Sequence, residues 1–234
     1  MNAKYSLLHR LVDLLSPSSC CCCGQRLAQH EQFLCLPCQR HLPYTDHHLS
    51  AEDNEVARLF WRRIPIQKAA TLYRHQPDAQ CARIIYDIKY HYQPELARHM
   101  GKMMATIFNA SGFFSAIDAI VPVPLTKRRQ RERGYNQSQL LAEGMAEVVH
   151  LPVECQWLQR TTFVKSQTHL SHTERVENVE DAFRLTTTAD LSNTHILLVD
   201  DVITTGATIC ACAQAMQAAH VRQFSVAALS LSKV

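Results

Sequence analysis

The residues of this chain that could do chemistry centre on two adjacent carboxylates. Asp200 and Asp201 directly follow residues 196–199, four apolar side chains that are too few for a helix and are typical of a short buried strand. A turn of small and hydroxyl-bearing residues, 204–208, comes next, and the small-residue segment 209–216 favours a helix. This order is typical of the carboxyl edge of a parallel sheet, where open α/β folds bind ligands.

The turn and the acidic pair predict two halves of one ligand. Unpaired N–H groups at the start of a helix can hold a phosphate monoester, and Gly206 lets the main chain approach it closely. Hydroxyl groups that could add donors belong to Thr204, Thr205 and Thr208. Adjacent carboxylates would repel that phosphate, but they can accept hydrogen bonds from vicinal hydroxyls. The sequence therefore predicts a site for a ribose 5-phosphate.

The run from Ile196 to Thr208 resembles the phosphoribosyl-diphosphate (PRPP) motif of type I phosphoribosyltransferases. The resemblance implies that Asp200 and Asp201 hold the ribose hydroxyls and that magnesium is carried on the diphosphate. It implies that the 5-phosphate lies on the turn formed by Thr204, Thr205, Gly206, Ala207 and Thr208. It also implies an α/β, Rossmann-like fold, with a mainly parallel sheet and helices on both faces.

Three other interpretations compete for the acidic pair. A Walker B strand of an ATPase ends similarly, but the chain has no G-x-x-x-x-G-K-[ST] sequence. Receiver domains also place an acidic pair after their first strand, but only residues 202–234 follow here. A plain surface turn after a core strand would leave the adjacent carboxylates unexplained.

Two C-x-x-C pairs near the N-terminus have the spacing of a zinc ribbon. They are Cys20 with Cys23 and Cys35 with Cys38, separated by eleven residues, and Gly24 stands where a tight knuckle favours positive φ. Four thiolates close a tetrahedral zinc shell, which is structural and not catalytic. Alternative ligands are Cys21 and Cys22, since residues 20–23 are all cysteines, and a cluster of unbound thiols remains the other interpretation.

The segment 127–133 contains five cations and one anion, a local charge of +4. The sequence alone predicts a loop here, either solvated or part of a nucleic-acid surface. If this segment lies beside a PRPP site, it has a more specific role, because cationic side chains can stabilise the departing diphosphate. The candidates for this role are Lys127, Arg131 and Arg133.

Residues 121–124 (VPVP) and 133–138 (RGYNQS) resemble the ComF family of competence-associated, phosphoribosyltransferase-like proteins. That family also carries a four-Cys ribbon at its N-terminus, so the resemblance covers most of the chain. By position, the polar stretch 160–178 corresponds to the flexible hood loop of type I enzymes. Lys165, Gln167 and Arg175 could then reach the diphosphate, although an ordinary exposed loop explains this stretch equally well.

Length and composition set the organisation of the chain. Its 234 residues are 47% hydrophobic, which allows a sizeable core, and the net charge of +3 is too small to imply nucleic acid. Residues 5–15 predict a short amphipathic helix rather than a secretion signal. No apolar run approaches the ~20 residues of a membrane helix. We therefore expect a cytoplasmic protein without membrane insertion. A boundary near residue 50 would divide the chain into a ribbon, 1–50, and a phosphoribosyltransferase-like domain, 51–234.

The remaining elements follow from hydrophobic patterning. Helices are predicted from Asp78 to Tyr90, from Pro94 onward and from Tyr135 onward. Strands are predicted at residues 68–74, 117–124, 153–158 and 223–231.

Three functions fit these observations. The first is magnesium-dependent transfer of phosphoribose to an unknown acceptor, in a DNA-utilisation context that only the family resemblance implies. The second is a non-catalytic PRPP or nucleotide sensor that docks a DNA-processing protein. The third is binding of single-stranded DNA through the ribbon and residues 127–133, although aromatic residues make up only 7% of the chain.

Overall fold

A four-stranded parallel sheet forms the centre of the protein. The computed structural model describes residues 18–161 and 182–232. The strands lie in the order β1-β6-β5-β2, so the strand with the acidic pair is internal. Their bounds are β1 Ile66–Arg74, β2 Ala119–Pro122, β5 His195–Ile203 and β6 Gln223–Leu231. Two short strands, β3 Leu158–Arg160 and β4 Phe183–Leu185, form a separate antiparallel pair.

Helices cover both faces of this sheet. They are α1 Leu36–Arg40, α2 Glu55–Arg58, α3 Ala82–Tyr90, α4 Pro94–Asn109, α5 Lys127–Arg133, α6 Gln137–Val149 and α7 Ala207–Gln217, and a 3-10 turn spans His47–Ser50. Alternate residues of β5 point to opposite sides: Leu197 and Val199 pack with α3, α4 and α6, whereas Ile196 and Leu198 pack with α2 and α7. The predicted parallel sheet with helices on both faces is confirmed.

Helices α4 and α6 approach closely because each has a glycine at the contact. A Cβ atom at Gly101 would lie 2.2 Å from the Leu141 carbonyl oxygen, and one at Gly144 would lie 2.1 Å from the Arg98 carbonyl oxygen. Any larger side chain would push the helices apart. This packing fixes the start of α6 over the end of β5, where the acidic pair lies.

The prediction of a strand at 153–158 is wrong. Val153 makes a single bridge to Ile120: Ile120 N–H donates to the Pro152 carbonyl, and Glu154 N–H donates to the Ile120 carbonyl. The next ladder bond would need an N–H at Pro122, which proline lacks. The pairing therefore stops after one residue, and β3 begins only at Leu158.

The basic segment is a helix, α5, and not the predicted loop. Thr126 caps its start by accepting a hydrogen bond from the Arg129 N–H at 3.2 Å, and Gly134 ends it with φ of +80°. Arg128 and Glu132 form an ion pair of 2.8 Å one turn apart. The side chains of 127–133 therefore project from a helix between β2 and α6.

The ribbon and the sheet share one buried core. Cys20, Leu34 and Cys35 are buried in the cluster that contains Ile84 and Ile88 of α3. Main-chain hydrogen bonds also join residues 43–45 and residue 51 to β1. The predicted boundary near residue 50 stays a prediction.

Several predictions fall on parts of the chain that the structure leaves undescribed. The amphipathic helix at 5–15 and the hood residues Lys165, Gln167 and Arg175 lie outside the described residues. Within residues 18–161 and 182–232, none of the helices combines the length and apolar character needed to cross a lipid bilayer.

Candidate functional site

The acidic pair lies within the carboxyl end of β5 and is partly enclosed by α6. The Asp200 Oδ1 atom accepts hydrogen bonds from the Ser138 hydroxyl at 3.0 Å and from the Asp201 N–H at 2.8 Å. Asn136 positions Ser138: its side chain accepts from the Ser138 N–H at 3.1 Å and donates to the Val123 carbonyl at 3.0 Å. The loop after β2 is thereby joined to the first turn of α6.

Asp201 is more deeply buried, with 5% of its surface exposed. The Lys89 ammonium lies 3.0 Å from Asp201 Oδ2. This contact is an ion pair without the alignment of a good hydrogen bond, and the same oxygen finds no hydrogen-bond donor among the described residues. A buried carboxylate oxygen without an aligned hydrogen bond is stabilised by a ligand that supplies a hydrogen-bond donor.

The two carboxylates influence each other's charge. Burial and the neighbouring Asp201 charge raise the pKa of Asp200, against lowering contributions from the Asp201 N–H, Ser138 and Lys89, and the net result is a pKa of about 7. The pair therefore exchanges a proton near neutral pH. Groups that donate hydrogen bonds to it favour the fully ionised form.

The turn after β5 has the geometry of an anion site. Gly206, with φ of +72°, caps the start of α7, whose first helical hydrogen bond runs from the Cys210 N–H to the Gly206 carbonyl. The N–H groups before Cys210 therefore lie ahead of the helical ladder, at the positive end of the helix dipole. Thr204 and Thr205 are exposed, and Arg63 fixes the turn by donating to the Thr205 carbonyl at 3.0 Å.

Gly206 is predicted to be intolerant of substitution. Its φ is +72°, and an added Cβ would lie 2.6 Å from the Phe60 ring. We expect Gly206→Ala to lower the free energy of unfolding by about 2–4 kcal/mol, from backbone strain plus overpacking. Gly112, also with φ of +72° but with nothing within 4 Å of its added Cβ, is the control.

Urea unfolding of both variants measures the difference. Gly112→Ala has only the backbone strain, and we expect it to cost about 1 kcal/mol. Equal losses in the two variants would show that Phe60 does not restrict the turn.

The basic residues of α5 face two different grooves. Lys127 lines a groove of about 350 Å³ together with Asn136 and Arg160. Arg133 lines a second groove, of about 530 Å³, with Lys89 and Arg129. Arg131 lies on the exposed side of the helix and donates to the Lys127 carbonyl at 3.3 Å.

The structure adds four residues that were not predicted as site residues from the sequence, namely Arg63, Lys89, Ser138 and Arg160. Arg160 lies over the Phe183 ring at 5.2 Å, and burial lowers the pKa of its guanidinium, as does the nearby Arg129 charge. The capping pattern of Asn136 and Ser138 could have been found from the sequence. The others come from separate segments and carry no local signal.

The four predicted metal ligands come together. The Sγ atoms of Cys20, Cys23, Cys35 and Cys38 all lie within 4.8 Å of one another, and no other group of His, Cys, Asp or Glu in the described residues is gathered in this way. Gly24 has φ of +75°, and its N–H donates to the Cys20 carbonyl at 2.8 Å. The Cys35 N–H donates to Cys20 Sγ at 3.4 Å, as expected for a thiolate ligand. These residues fit a structural zinc ion.

Comparison with known proteins agrees with these observations. A sequence model of the phosphoribosyl transferase domain matches residues 136–232. DNA utilization protein YhgH of Escherichia coli K12 is 30% identical over 201 residues, covering 83% of this chain and 82% of the relative. Competence protein ComFC of Bacillus subtilis is 30% identical over 212 residues, covering 86% and 79%. The chain belongs to the ComF family.

Two solved structures are also similar to this ComF-family protein. Adenine phosphoribosyltransferase of Leishmania tarentolae is 10% identical, with coverage of 76% and 88% and a TM-score of 0.37. The Trypanosoma brucei enzyme, crystallised with AMP, pyrophosphate and ribose-5-phosphate, is 16% identical, with coverage of 59% and 53% and a TM-score of 0.36. The fold assignment rests on the domain match and the sheet, not on these scores.

Proposed function

We propose that this ComF-family protein binds PRPP at the carboxyl end of β5. The observation that carries the proposal is the acidic pair at the end of β5, a few residues before a glycine-capped helix. Its Asp201 Oδ2 atom is held by the Lys89 ion pair and by no aligned hydrogen bond among the described residues. A ribose 5-phosphate supplies hydroxyl donors for the carboxylates and a phosphate anion for the start of that helix.

The ribose would lie at the acidic pair, and its 5-phosphate would lie at the turn that follows the pair in the chain. Asp200 and Asp201 would accept hydrogen bonds from the ribose hydroxyls. The phosphate would lie on the turn of Thr204, Thr205, Gly206, Ala207 and Thr208, held by N–H groups and hydroxyls. Arg63 would keep that turn in place through the Thr205 carbonyl.

The diphosphate would lie toward α5, with Lys127, Arg131 and Arg133 as candidate partners. Lys165 and Arg175, outside the described residues, are further candidates. Magnesium bound to PRPP would neutralise part of the diphosphate charge. Of the three described cations, Lys127 and Arg133 line grooves, and Arg131 would have to turn from its exposed position.

Transfer would then proceed at C1 of the ribose. An acceptor nitrogen attacks C1 as the bond to diphosphate breaks, and positive charge develops on the sugar while negative charge develops on the leaving group. The carboxylates fix the sugar, and the cations stabilise the leaving group. The alternative is a PRPP or nucleotide sensor with the same site and no turnover, acting in the cytoplasm on a DNA-processing partner.

Calorimetric titration with PRPP and Mg²⁺ tests this proposal. We expect saturable binding by the zinc-loaded protein, and competition by ribose 5-phosphate. Release of diphosphate with a panel of amines and nucleobases distinguishes the enzyme from the sensor. Lack of binding at millimolar PRPP would contradict both.

A second candidate function is binding of single-stranded DNA, and the exposed tyrosines favour it. Tyr86, Tyr90 and Tyr92 are 53%, 64% and 69% exposed on and just after α3. The Arg133 guanidinium lies over the Tyr90 ring at 5.7 Å. Aromatic residues are few, but three of them are concentrated beside the basic helix, as in surfaces on which bases stack.

We expect a fluorescent oligothymidylate to bind this surface with an affinity that falls steeply with salt. The triple variant Tyr86→Ala, Tyr90→Ala, Tyr92→Ala should weaken binding by about tenfold or more, because base stacking contributes ~1–3 kcal/mol per base. Trp61→Ala, which removes a 46% exposed aromatic elsewhere, should not. Anisotropy measures both, and equal losses would assign the binding to another surface.

A further inference from the structure

Lys89 reaches the acidic pair from a different layer of the fold. It lies in the last turn of α3, and its side chain is only 20% exposed. Its ammonium is 3.0 Å from Asp201 Oδ2. Among the described residues, it is the cation that forms an ion pair with this carboxylate.

Helix α3 is fixed at both ends, so the position of Lys89 is defined. Near its start, the Arg83 guanidinium donates to the Cys22 carbonyl in the first knuckle of the ribbon at 3.4 Å. Near its end, the Tyr135 hydroxyl, just before α6, donates to the Ile88 carbonyl at 2.5 Å. Ile84, Ile85 and Ile88 bury the face between these contacts.

We propose that Lys89 is a positioning residue of the sugar-phosphate site, which orients the Asp201 carboxylate to accept a ribose hydroxyl. This inference rests on the proposed function. Oδ2 is held by this ion pair and by no aligned hydrogen bond among the described residues, so Lys89 is the group that orients the carboxylate.

Charged and titratable groups surround the pair on every side. Lys89 faces it from α3 and Arg160 from β3, while Ser138 donates to it from α6. Tyr73 of β1 and Cys212 of α7 are buried, and burial raises the pKa of each side chain. The Asp201 charge also raises the pKa of Tyr73, and the Asp200 charge also raises the pKa of Cys212. His75 follows β1; burial lowers its pKa, and Lys89 lowers it further. At neutral pH these last three groups are uncharged, so the positive charge beside the pair comes from Lys89 and Arg160.

The sign of the pH effect follows from this arrangement. Lys89 lowers the pKa of Asp200 from the value that burial and Asp201 would give, and the result is about 7. Without Lys89 the pair holds a proton to higher pH, and a protonated pair is a poorer acceptor for ribose hydroxyls. If the pKa rises by about one unit, the ionised fraction at pH 7 falls from about a half to about a tenth, which weakens binding about fivefold. The loss of affinity caused by removing Lys89 should become smaller as the pH rises through the raised pKa of the pair.

The experiment compares PRPP–Mg²⁺ affinity from pH 6.5 to 8.5 in four proteins, by calorimetry. They are the wild type, Lys89→Met, Lys89→Arg and Lys102→Met. Lys102 pairs with Glu147 at 2.6 Å on the exposed side of α4 and α6, so its variant removes a lysine ion pair away from the site. We expect a loss of fivefold or more for Lys89→Met at pH 7, smaller at pH 8.5, and near wild-type affinity for the other two variants.

The outcomes separate the two proposals. If the wild type does not bind PRPP, the proposed function fails. If the wild type binds PRPP and Lys89→Met binds it with the same affinity across the pH range, the proposed role of Lys89 is wrong, but the proposed PRPP site is supported. A loss independent of pH that Lys89→Arg does not restore would show that Lys89 only supports packing.

Discussion

Replacing both carboxylates, Asp200→Asn together with Asp201→Asn, is expected to abolish PRPP binding. Each carboxylate would accept a hydrogen bond from a ribose hydroxyl, and hydrogen bonds to charged groups contribute ~1.5–3 kcal/mol each. The double variant should therefore lose about 3–6 kcal/mol, a weakening of at least about a hundredfold. The asparagines keep the size of the side chains, so calorimetry should find a folded protein that does not take up PRPP.

Asp190→Asn is the matched control for this change. Asp190 is exposed and accepts a hydrogen bond from the Ser192 N–H at 3.0 Å, away from the site. It should leave affinity unchanged. Retained binding in the Asp200 and Asp201 double variant, with wild-type stoichiometry, would mean that the sugar does not contact the acidic pair.

Removing one thiolate of the ribbon, as in Cys35→Ser, is expected to release zinc and unfold this region. A small segment depends on its metal, because structural zinc contributes ~10–16 kcal/mol in isolated finger peptides. That is as large as the whole stability of an ordinary domain, about 5–15 kcal/mol. Since Cys20 and Leu34 are buried against α3, loss of the ribbon should also expose apolar surface of the sheet domain.

Zinc content by atomic absorption and the thermal unfolding midpoint measure this effect. We expect one zinc per chain in the wild type, loss of zinc in Cys35→Ser and a midpoint lower by about 20 °C or more, because ~1 kcal/mol shifts the midpoint of a chain of this size by ~2–4 °C. Cys21→Ser is the control, because Cys21 lies outside the four-thiol cluster. Equal zinc loss in both variants would exclude the predicted ligand set.

The sequence by itself determined the features that are contiguous in the chain. The run from Ile196 to Thr208 forms strand, turn and helix in the predicted order, because buried-strand patterning and Gly206 act locally. The strand is longer than predicted, since β5 continues through the acidic pair to Ile203. The two C-x-x-C pairs predicted the cysteine cluster for the same reason, since the spacing and Gly24 encode the knuckle. The parallel sheet followed from the first of these motifs, and the family followed from residues 121–124 and 133–138 together with the ribbon; both are confirmed.

Two local predictions failed for different reasons. The helix at 127–133 had its signals in the sequence, since Thr126 caps its start and Gly134 ends it, but the charge of the segment favoured a loop interpretation. The strand at 153–158 could not be rejected locally. Its pairing ends at Pro122, on a partner strand that the sequence does not identify.

Only the tertiary structure decided which groups meet at the acidic pair. Lys89, Ser138 and Arg160 come from three separate segments, and no local pattern indicates that their side chains meet. Their meeting depends on the strand order β1-β6-β5-β2 and on the close packing of α4 with α6. Local patterns encode backbone geometry, whereas contacts between distant segments are set by how whole elements pack over the sheet.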